Sequence, residues 1–342
     1  SYVLMGAGIP REIPAVLAAL SQHQQASLKL DTITPTETQL YITLDPAEYW
    51  DVVPPPMPRP KFLPIVASNS LATLLATKVA GGIDGFVIEG PTAGGHNAPP
   101  RGTLTLNDRG EPVYGPRDEV DLAKIGELGL PFWVAGGAGH PDRLQEALAA
   151  GAAGIQVGTL FAYADESGLD AALKRSVLES ATRGEVSVLT DAKASPTGYP
   201  FKVVDWSENP VKAEKRKRVC DLGYLRVAFE NDKGRIDYRC AAEPVDTYVA
   251  KGGAESETTG RKCLCNALMA NIGLPQYRAD GAVEPPILTS GDDLVQIGTF
   301  LDGRTSYAAA DVIDYLLGAA PLANAVTSAA APAREGTLID SL

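Results

Sequence analysis

The chain has 342 residues, of which 45% are hydrophobic and 21% charged, with a formal net charge of -12 and a pI of about 4.8. This composition is typical of a globular protein with one large domain or two moderate ones. An acidic surface repels phosphate backbones and anionic lipids, so neither nucleic acid nor a membrane surface is an expected partner. We find no apolar run of about 18 residues and no signal peptide, which together favour a cytoplasmic location.

Short apolar runs alternate with helical patterns over the first half of the chain. The predicted strands are 2–6, 28–31, 62–68, 84–89, 131–136 and 154–158. The predicted helices are 11–21, 69–80, 118–129, 140–151 and 165–183. Strands that are apolar on both faces favour a parallel sheet covered by helices, either an open doubly wound sheet or an eight-stranded barrel. Glycine-rich segments follow several strands and no GxGxxG opens a helix, so we favour the barrel, whose sites lie at the strand C-termini.

Two insertions interrupt this alternation. Residues 35–60 are rich in proline, which excludes a helix, and we expect a surface excursion with a short hairpin at 38–44. Residues 101–117 have the turn sequence Asn107-Asp108-Arg109-Gly110 and are predicted to form a hairpin-like insertion. The second insertion directly follows a histidine-containing loop, so we expect it to cover that loop.

The character of the sequence changes after about residue 205. We therefore divide the chain into a barrel portion, 1–205, and a C-terminal extension, 206–342. The extension contains all four cysteines, a predicted helix at 309–317 and an alanine-rich tail at 319–342, which we expect to be poorly ordered.

Glycine-rich ends on two consecutive strands are the strongest functional signal. Gly136-Gly137 ends one strand and Gly158-Thr159 ends the next, so backbone N–H groups and one hydroxyl are available there. In barrels, the loops after strands seven and eight commonly bind phosphate. His96 lies on the loop one strand earlier and therefore on the same face, where a neutral imidazole can act as a base.

The motifs that carry these features resemble the nitronate monooxygenase family, formerly called 2-nitropropane dioxygenases. The matching stretches are IEGPTAGGH, PFWVAGGAG, GIQVGTLF and VLMGAGIP, and the resemblance covers about residues 1–205. It implies a (β/α)8 barrel that holds FMN, with His96 as catalytic base. It also places Gly94 and Gly95 beside the flavin. The FMN-binding positions that it implies are Gly136, Gly137, Gln156, Val157, Gly158 and Thr159.

The chain departs from the family pattern in three respects. Ala98 replaces a glycine that many members have two places after the histidine, which we expect to alter the substrate pocket. The stretch YVLMGAGIP matches the fourth strand of the family, so we assign strands four to eight to this chain. We expect the remaining strands to come from an N-terminal extension or from another polypeptide, since a barrel needs them to close. The proline-rich insertion and the cysteine region resemble a longer subgroup close to the enoyl reductases of polyunsaturated fatty acid synthesis.

The resemblance implies an FMN-dependent oxidoreductase that oxidises alkyl nitronates with dioxygen. One alternative is an NAD(P)H- and FMN-dependent enoyl reductase of a fatty acid or polyketide pathway. Another is a non-catalytic flavin-binding or scaffold subunit. The expected partner is a small-molecule substrate, with NAD(P)H in the reductase alternative, and a homo-oligomer is left open.

The cysteines form a second group of candidate site residues. Cys220, Cys240, Cys263 and Cys265 lie within 46 residues of each other, and four thiolates suit zinc or an iron–sulfur cluster. The spacing equally allows four reduced thiols, or a redox-active pair at 263 and 265. His140 precedes Pro141 and is predicted to cap a helix rather than to act in catalysis.

Overall fold

A computed structural model describes residues 1–6, 8–33, 39–206 and 216–318. The strands are β1 (Tyr2–Met5), β2 (Ala26–Leu30), β3 (Leu40–Leu44), β4 (Lys61–Val66), β5 (Phe86–Glu89), β6 (Phe132–Ala135), β7 (Gly154–Gln156), β8 (Val186–Asp191), β9 (Phe201–Trp206), β10 (Val227–Glu230) and β11 (Ile236–Arg239). The helices are α1 (Ile13–Ser21), α2 (Asn69–Lys78), α3 (Leu122–Gly126), α4 (Pro141–Ala149), α5 (Thr159–Ala162), α6 (Ala171–Thr182), α7 (Val245–Ala250), α8 (Leu264–Ala270), α9 (Ile297–Leu301) and α10 (Ala309–Leu317). The alanine-rich tail lies outside the described residues.

The centre of the fold is a parallel sheet in the order β1-β4-β5-β6-β7. Alternate residues of its strands enter different apolar clusters. Phe86 and Ile88 pack in the cluster that includes Leu75 of α2, whereas Val87 between them packs with Leu63 on the opposite face. The sheet is therefore buried on both faces, as its continuous apolar runs predicted.

These five strands correspond to the predicted strands four to eight, and the parallel α/β class is confirmed. The described residues contain one five-stranded parallel sheet, and closure into an eight-stranded barrel stays a prediction. Because parallel strands end at the same edge of a sheet, the loops after β1, β4, β5, β6 and β7 meet at one edge.

The described residues after β7 form four more strands. β8 pairs with β9 and β10 with β11, both antiparallel. A large apolar cluster joins Leu160 and Val177 to Leu294, Phe300 and Val312. Residues on both sides of position 205 therefore share one core, and the division of the chain at 205 stays a prediction.

Several predicted elements differ from the structure. The strand predicted at 28–31 is not part of the parallel sheet, because β2 pairs antiparallel with β3. The hairpin predicted at 38–44 is instead that second strand, β3. The helix predicted at 118–129 is reduced to α3, because the Asp121 carboxylate accepts the Lys124 N–H and starts the helix there. The helix predicted at 165–183 is α6, which begins where the Asp170 carboxylate accepts two backbone N–H groups.

In the part of the chain that the structure describes, no helix has the length and apolar character needed to cross a membrane.

Candidate active site

The backbone of the histidine loop is fixed on both sides of His96. The Lys202 N–H donates to the Gly95 carbonyl at 2.8 Å, and the Asn97 N–H donates to the Pro200 carbonyl at 2.9 Å. The loop after β5 therefore pairs with the beginning of β9. Gly95 has a φ of 78°, a left-handed value that glycine adopts without strain. This pairing sets the position at which the imidazole leaves the backbone.

The His96 ring makes one hydrogen bond within the protein and an edge-on contact with an aromatic ring. Nε2 lies 2.7 Å from the Ser195 hydroxyl, and the ring meets Phe201 edge-on with 4.9 Å between centroids. No hydrogen bond to Nδ1 is found among the described residues. Burial lowers the pKa of His96 below its ordinary value. The imidazole is therefore neutral at pH 7 and can accept a proton.

A cavity of about 660 Å³ lies beside His96, at the C-terminal ends of β1, β4 and β5. Its walls are largely apolar. The apolar lining includes Ile9, Ile65, Leu71, Pro91, Pro99 and Leu225. Ala98 and Pro99, where the sequence leaves the family pattern, both line this cavity. A change at Ala98 can therefore affect the shape of the pocket directly.

The insertion predicted at 101–117 reaches the cavity. Its turn is held by an antiparallel bridge between Leu106 and Pro112. Tyr114 lines the cavity and donates its hydroxyl to the Ala98 carbonyl at 3.0 Å. The insertion therefore contacts the histidine loop, as expected of a segment that covers it.

Charged groups are few on the cavity wall. Burial raises the pKa of Glu89, at the end of β5, to about 7. The Arg101 guanidinium donates to the Ala67 carbonyl at 3.1 Å and lines the same space, as does Asp118. The cavity thus offers an apolar volume with a neutral base, the Arg101 cation, the Asp118 carboxyl group and the Glu89 carboxyl group, which is half-protonated near neutral pH.

The first predicted phosphate loop packs against the histidine loop. Gly136 and Gly137 have φ values of 84° and 67°. A Cβ added to Gly136 would lie 3.0 Å from the Ala93 nitrogen, and one on Gly137 would lie 3.1 Å from the Thr92 hydroxyl oxygen. These glycines are needed for both conformation and close packing, and they bring the end of β6 to the segment that precedes His96.

The second predicted phosphate loop follows β7, whose last residue is Gln156. Val157 is half-buried and Gly158 is exposed. A Cβ on Gly158 would have no atom within 4 Å, so space is open at this backbone. Thr159 is buried, and its hydroxyl accepts the Gly291 N–H at 3.1 Å. Open space at a glycine between a strand and a short helix fits a ligand that approaches the backbone closely.

A third loop, residues 289–293, completes this edge and was missed by sequence reasoning. The Thr289 hydroxyl accepts the Gly95 N–H at 2.7 Å, and a Cβ on Gly94 would lie 2.8 Å from the Gly291 nitrogen. Asp293 accepts the Gly139 N–H at 3.0 Å, and burial raises the pKa of its carboxyl group. The run SGDDL before an apolar stretch is a helix-start signal that could have located this loop.

The cysteines do not form a metal centre in the part of the chain that the structure describes. All four thiols are free, and among the described residues no group of three or more His, Cys, Asp or Glu side chains is arranged to hold a metal. The zinc or iron–sulfur prediction for Cys220, Cys240, Cys263 and Cys265 is therefore not supported. A hydrogen bond from Cys263 lowers the pKa of Cys265 to about 6, and the reciprocal contact raises the pKa of Cys263.

The other histidine noted in the sequence has a structural role. The His140 Nδ1 accepts the Asp142 N–H at 3.2 Å and caps α4. The predicted capping role of His140 is confirmed.

Comparison with known proteins identifies the central segment. Residues 58–197 match the nitronate monooxygenase family model. A probable nitronate monooxygenase of Staphylococcus haemolyticus is 34% identical over 100 residues, which are 29% of this chain and 27% of that protein. A (3aS,4S,5R,7aS)-5-hydroxy-7a-methyl-1-oxo-octahydro-1H-indene-4-carboxyl-CoA dehydrogenase of Mycobacterium tuberculosis is 34% identical over 112 residues, or 32% and 28% of the two chains.

The structure of FabK from Thermotoga maritima superposes with a TM-score of 0.41 and 19% identity, covering 76% of this chain and 60% of that one. The chain spans less than a third of the length of the curated relatives that it matches. The matched segment contains the His96 loop, both glycine-rich strand ends and Ser195. The resemblance to the nitronate monooxygenase family is thus confirmed for residues 58–197 of this chain.

Proposed function

We propose that this chain is an FMN-dependent oxidoreductase that acts on a small molecule, with His96 handling a substrate proton. The observation that carries the proposal is the position of His96. It is a neutral imidazole with one ring nitrogen held by Ser195, and it lines an apolar cavity at the ends of parallel strands. The two glycine-rich strand ends lie along the same edge, and one packs directly on the histidine loop.

Gly136, Gly137, Gly158 and Thr159 would hold the phosphate of FMN, and Gly94 and Gly95 would lie beside the flavin. The donors are backbone N–H groups and one hydroxyl, which suit an anion. The open space at Gly158 supports this assignment. Gln156 and Val157 would contribute from the end of β7. When bound, FMN would supply the redox chemistry of the reaction.

The residues of the chain would bind the substrate, exclude water and move its proton. His96 is exposed in this structure, so a ligand bound against the apolar cavity wall would be what excludes water from the imidazole. Arg101 supplies a positive charge that favours an anionic group on the ligand. His96 would take a proton from a carbon next to an electron-withdrawing group in the oxidative direction, or donate one in the reductive direction.

Oxidation of alkyl nitronates with dioxygen is the first specific proposal, since the family match covers the segment that contains His96. A second candidate is NAD(P)H-dependent reduction of an enoyl thioester. The size and apolar lining of the cavity favour it, and one relative is named for a CoA thioester substrate. Bleaching of the flavin absorbance by a nitronate without pyridine nucleotide supports the first, and bleaching by NAD(P)H supports the second.

The test of the proposal is His96→Gln in the FMN-loaded protein. The substitution keeps a polar side chain but removes the base, so we expect turnover to fall about 100-fold or more while FMN remains bound. A variant that retains FMN and turns over every flavin-reducing substrate at the wild-type rate would contradict the catalytic role. Such a result would favour the flavin-binding or scaffold alternative.

The cytoplasmic location, a homo-oligomeric state and the contribution of further barrel strands by the same or another polypeptide stay predictions.

A further inference from the structure

The Ser195 hydroxyl lies in a chain of short hydrogen bonds that begins at His96. Ser195 is fully buried. Its Oγ lies 2.7 Å from His96 Nε2 and 2.7 Å from the Thr197 hydroxyl, and it also accepts the Thr197 N–H at 3.2 Å. The Thr197 hydroxyl accepts the Tyr199 N–H at 3.4 Å and borders the cavity.

Hydrogen-bond capacity allows two directions for this chain. A serine hydroxyl has one proton and two acceptor sites. In the first direction, Nε2–H donates to Ser195 and Ser195 donates to Thr197, which leaves the Thr197 proton for the cavity. In the second, Thr197 donates to Ser195 and Ser195 donates to an unprotonated Nε2, which places the ring proton on Nδ1.

Only the first direction lets the ring act as a base toward the cavity. When Nε2 keeps its proton, the Nδ1 lone pair is free to accept one. After that transfer, the imidazolium still donates Nε2–H to the same oxygen, so no hydroxyl has to rotate. In the second direction Nδ1 already holds a proton, and Nε2 faces Ser195 rather than a ligand.

We propose that Ser195 is a positioning residue that keeps the proton of neutral His96 on Nε2, with Thr197 accepting the Ser195 proton and so setting the direction of the chain. The proposal rests on the proposed function of His96 as the group that handles a proton. The Ser195 segment is itself held from the C-terminal part of the chain, because the Arg261 guanidinium donates to the Ser195 carbonyl at 2.7 Å.

The charged and titratable groups around His96 also affect its pKa. The other titratable and charged residues on the same cavity wall are Glu89, Arg101, Tyr114, Asp118 and Tyr199. On β9, Lys202 is paired with Asp292 at 2.7 Å. Arg261 approaches from the C-terminal part of the chain. All of these groups stay in place in the variants below, so differences between variants report the hydrogen-bond chain.

The first experiment measures the tautomer directly. The chain has three histidines, so spectra of the full-length protein labelled with ¹⁵N in histidine contain few signals, and His96→Gln assigns the one of interest. At a pH where His96 is neutral, we expect its ¹⁵N shifts to show protonation at Nε2. Protonation at Nδ1 in the wild-type protein would overturn the proposal, and this measurement needs no variant of Ser195 to fold.

The second experiment is designed to reverse the direction of the hydrogen-bond chain between His96, Ser195 and Thr197. Thr197→Val removes the acceptor for the Ser195 proton, so Ser195 can donate to Nε2, and we expect the Nδ1-protonated fraction to rise about threefold. Thr197→Ser keeps the hydroxyl and should behave as the wild type. An unchanged tautomer ratio in Thr197→Val would overturn the role of Thr197.

The third experiment follows the pKa of His96 in Ser195→Ala. A bond to Nε2–H stabilises the imidazolium more than the neutral ring, so its loss should lower the pKa by about one unit. Ser27→Ala, which removes an exposed hydroxyl pair with Thr43, is the matched control and should leave the pKa unchanged. A pKa in Ser195→Ala equal to that of the control would overturn the proposal. These readouts use no substrate, so they can succeed even if His96→Gln retains turnover and the proposed function fails.

Discussion

If the loop after β7 binds the phosphate of FMN, a negative charge at position 158 should weaken FMN binding more than a neutral side chain of the same size. Gly158 has a φ of -109°, which any residue adopts, and a Cβ there would meet no atom within 4 Å. Gly158→Asp and Gly158→Asn therefore introduce side chains of the same size without a clash. Asp and Asn are similarly preferred at the first position of a helix, so the two variants should affect the stability of the fold alike.

The expected magnitude follows from Coulomb's law. A carboxylate about 6 Å from a doubly charged phosphate is repelled by about 1.4 kcal/mol in bulk water and by about 5.5 kcal/mol at an effective dielectric of about 20. Because Gly158 is exposed, we expect the lower part of this range, about 2–3 kcal/mol, or about a 30- to 150-fold weaker Kd for FMN in Gly158→Asp than in Gly158→Asn.

Titration of the apoprotein by flavin fluorescence measures both constants, and riboflavin serves as the control because it lacks the phosphate. The reasoning predicts that the two variants bind riboflavin equally and that their difference for FMN shrinks at high salt. Equal FMN affinity in the two variants would refute the phosphate assignment at Gly158.

Two further predictions concern stability. Burial raises the pKa of Glu89 from 4.5 to about 7, so the native state binds more protons than the unfolded state between these values and stability falls as pH rises through that window, by at most about 3 kcal/mol. Glu89→Gln should remove this decline. Urea unfolding at pH 5 and pH 8 measures the free energy of unfolding of both proteins. An equal loss of stability between the two pH values in the wild type and in Glu89→Gln would contradict the prediction. Gly94→Ala places a Cβ 2.8 Å from the Gly291 nitrogen and should cost about 1–3 kcal/mol, whereas Gly115→Ala, where a Cβ meets nothing within 4 Å, should cost much less in the same assay.

The parallel strands were predictable because their signal is local. Phe86, Val87 and Ile88 form a continuous apolar run bounded by glycine, and burial on both faces of a parallel sheet requires such a run. The positions of the glycine-rich ends, and hence the packing of Gly136 against Ala93 in the histidine loop, followed from the rule that parallel strands end at one edge. Chain order and strand type were therefore enough to bring these residues together.

The pairing of β2 was not predictable in the same way. Leu28 and Leu30 alternate with polar residues, a pattern that fits any half-exposed strand. This pattern does not distinguish a strand of the barrel from β3 as the pairing partner of β2. β8 is the reverse case: no strand was predicted there, although Val186, Ser187 and Val188 alternate between apolar and polar residues as in a half-buried strand.

Ser195 and Thr289 could not be found by motif. Ser195 is 99 residues from His96 in sequence and Thr289 is 194 residues from Gly95, and single hydroxyl residues carry no spacing rule. Their contacts depend on how the turn between β8 and β9 and the segment before α9 pack on the sheet edge. Such contacts are products of tertiary structure, so only the folded chain reveals them.

The hydrogen bonds that position His96 come from both sides of residue 205, where the character of the sequence changes. The loop backbone is held at Gly95 by both Lys202 and Thr289, and the partner of the ring, Ser195, is held through its carbonyl by Arg261. Thr289 and Arg261 both lie beyond the segment that matches the family. The chemistry-bearing motif is therefore encoded in the first half of the chain, whereas the geometry of its histidine depends on the second. The composition of the sequence changes near residue 205, but a chain that ended there would lack Thr289 and Arg261, which hold the histidine loop and the Ser195 segment in place.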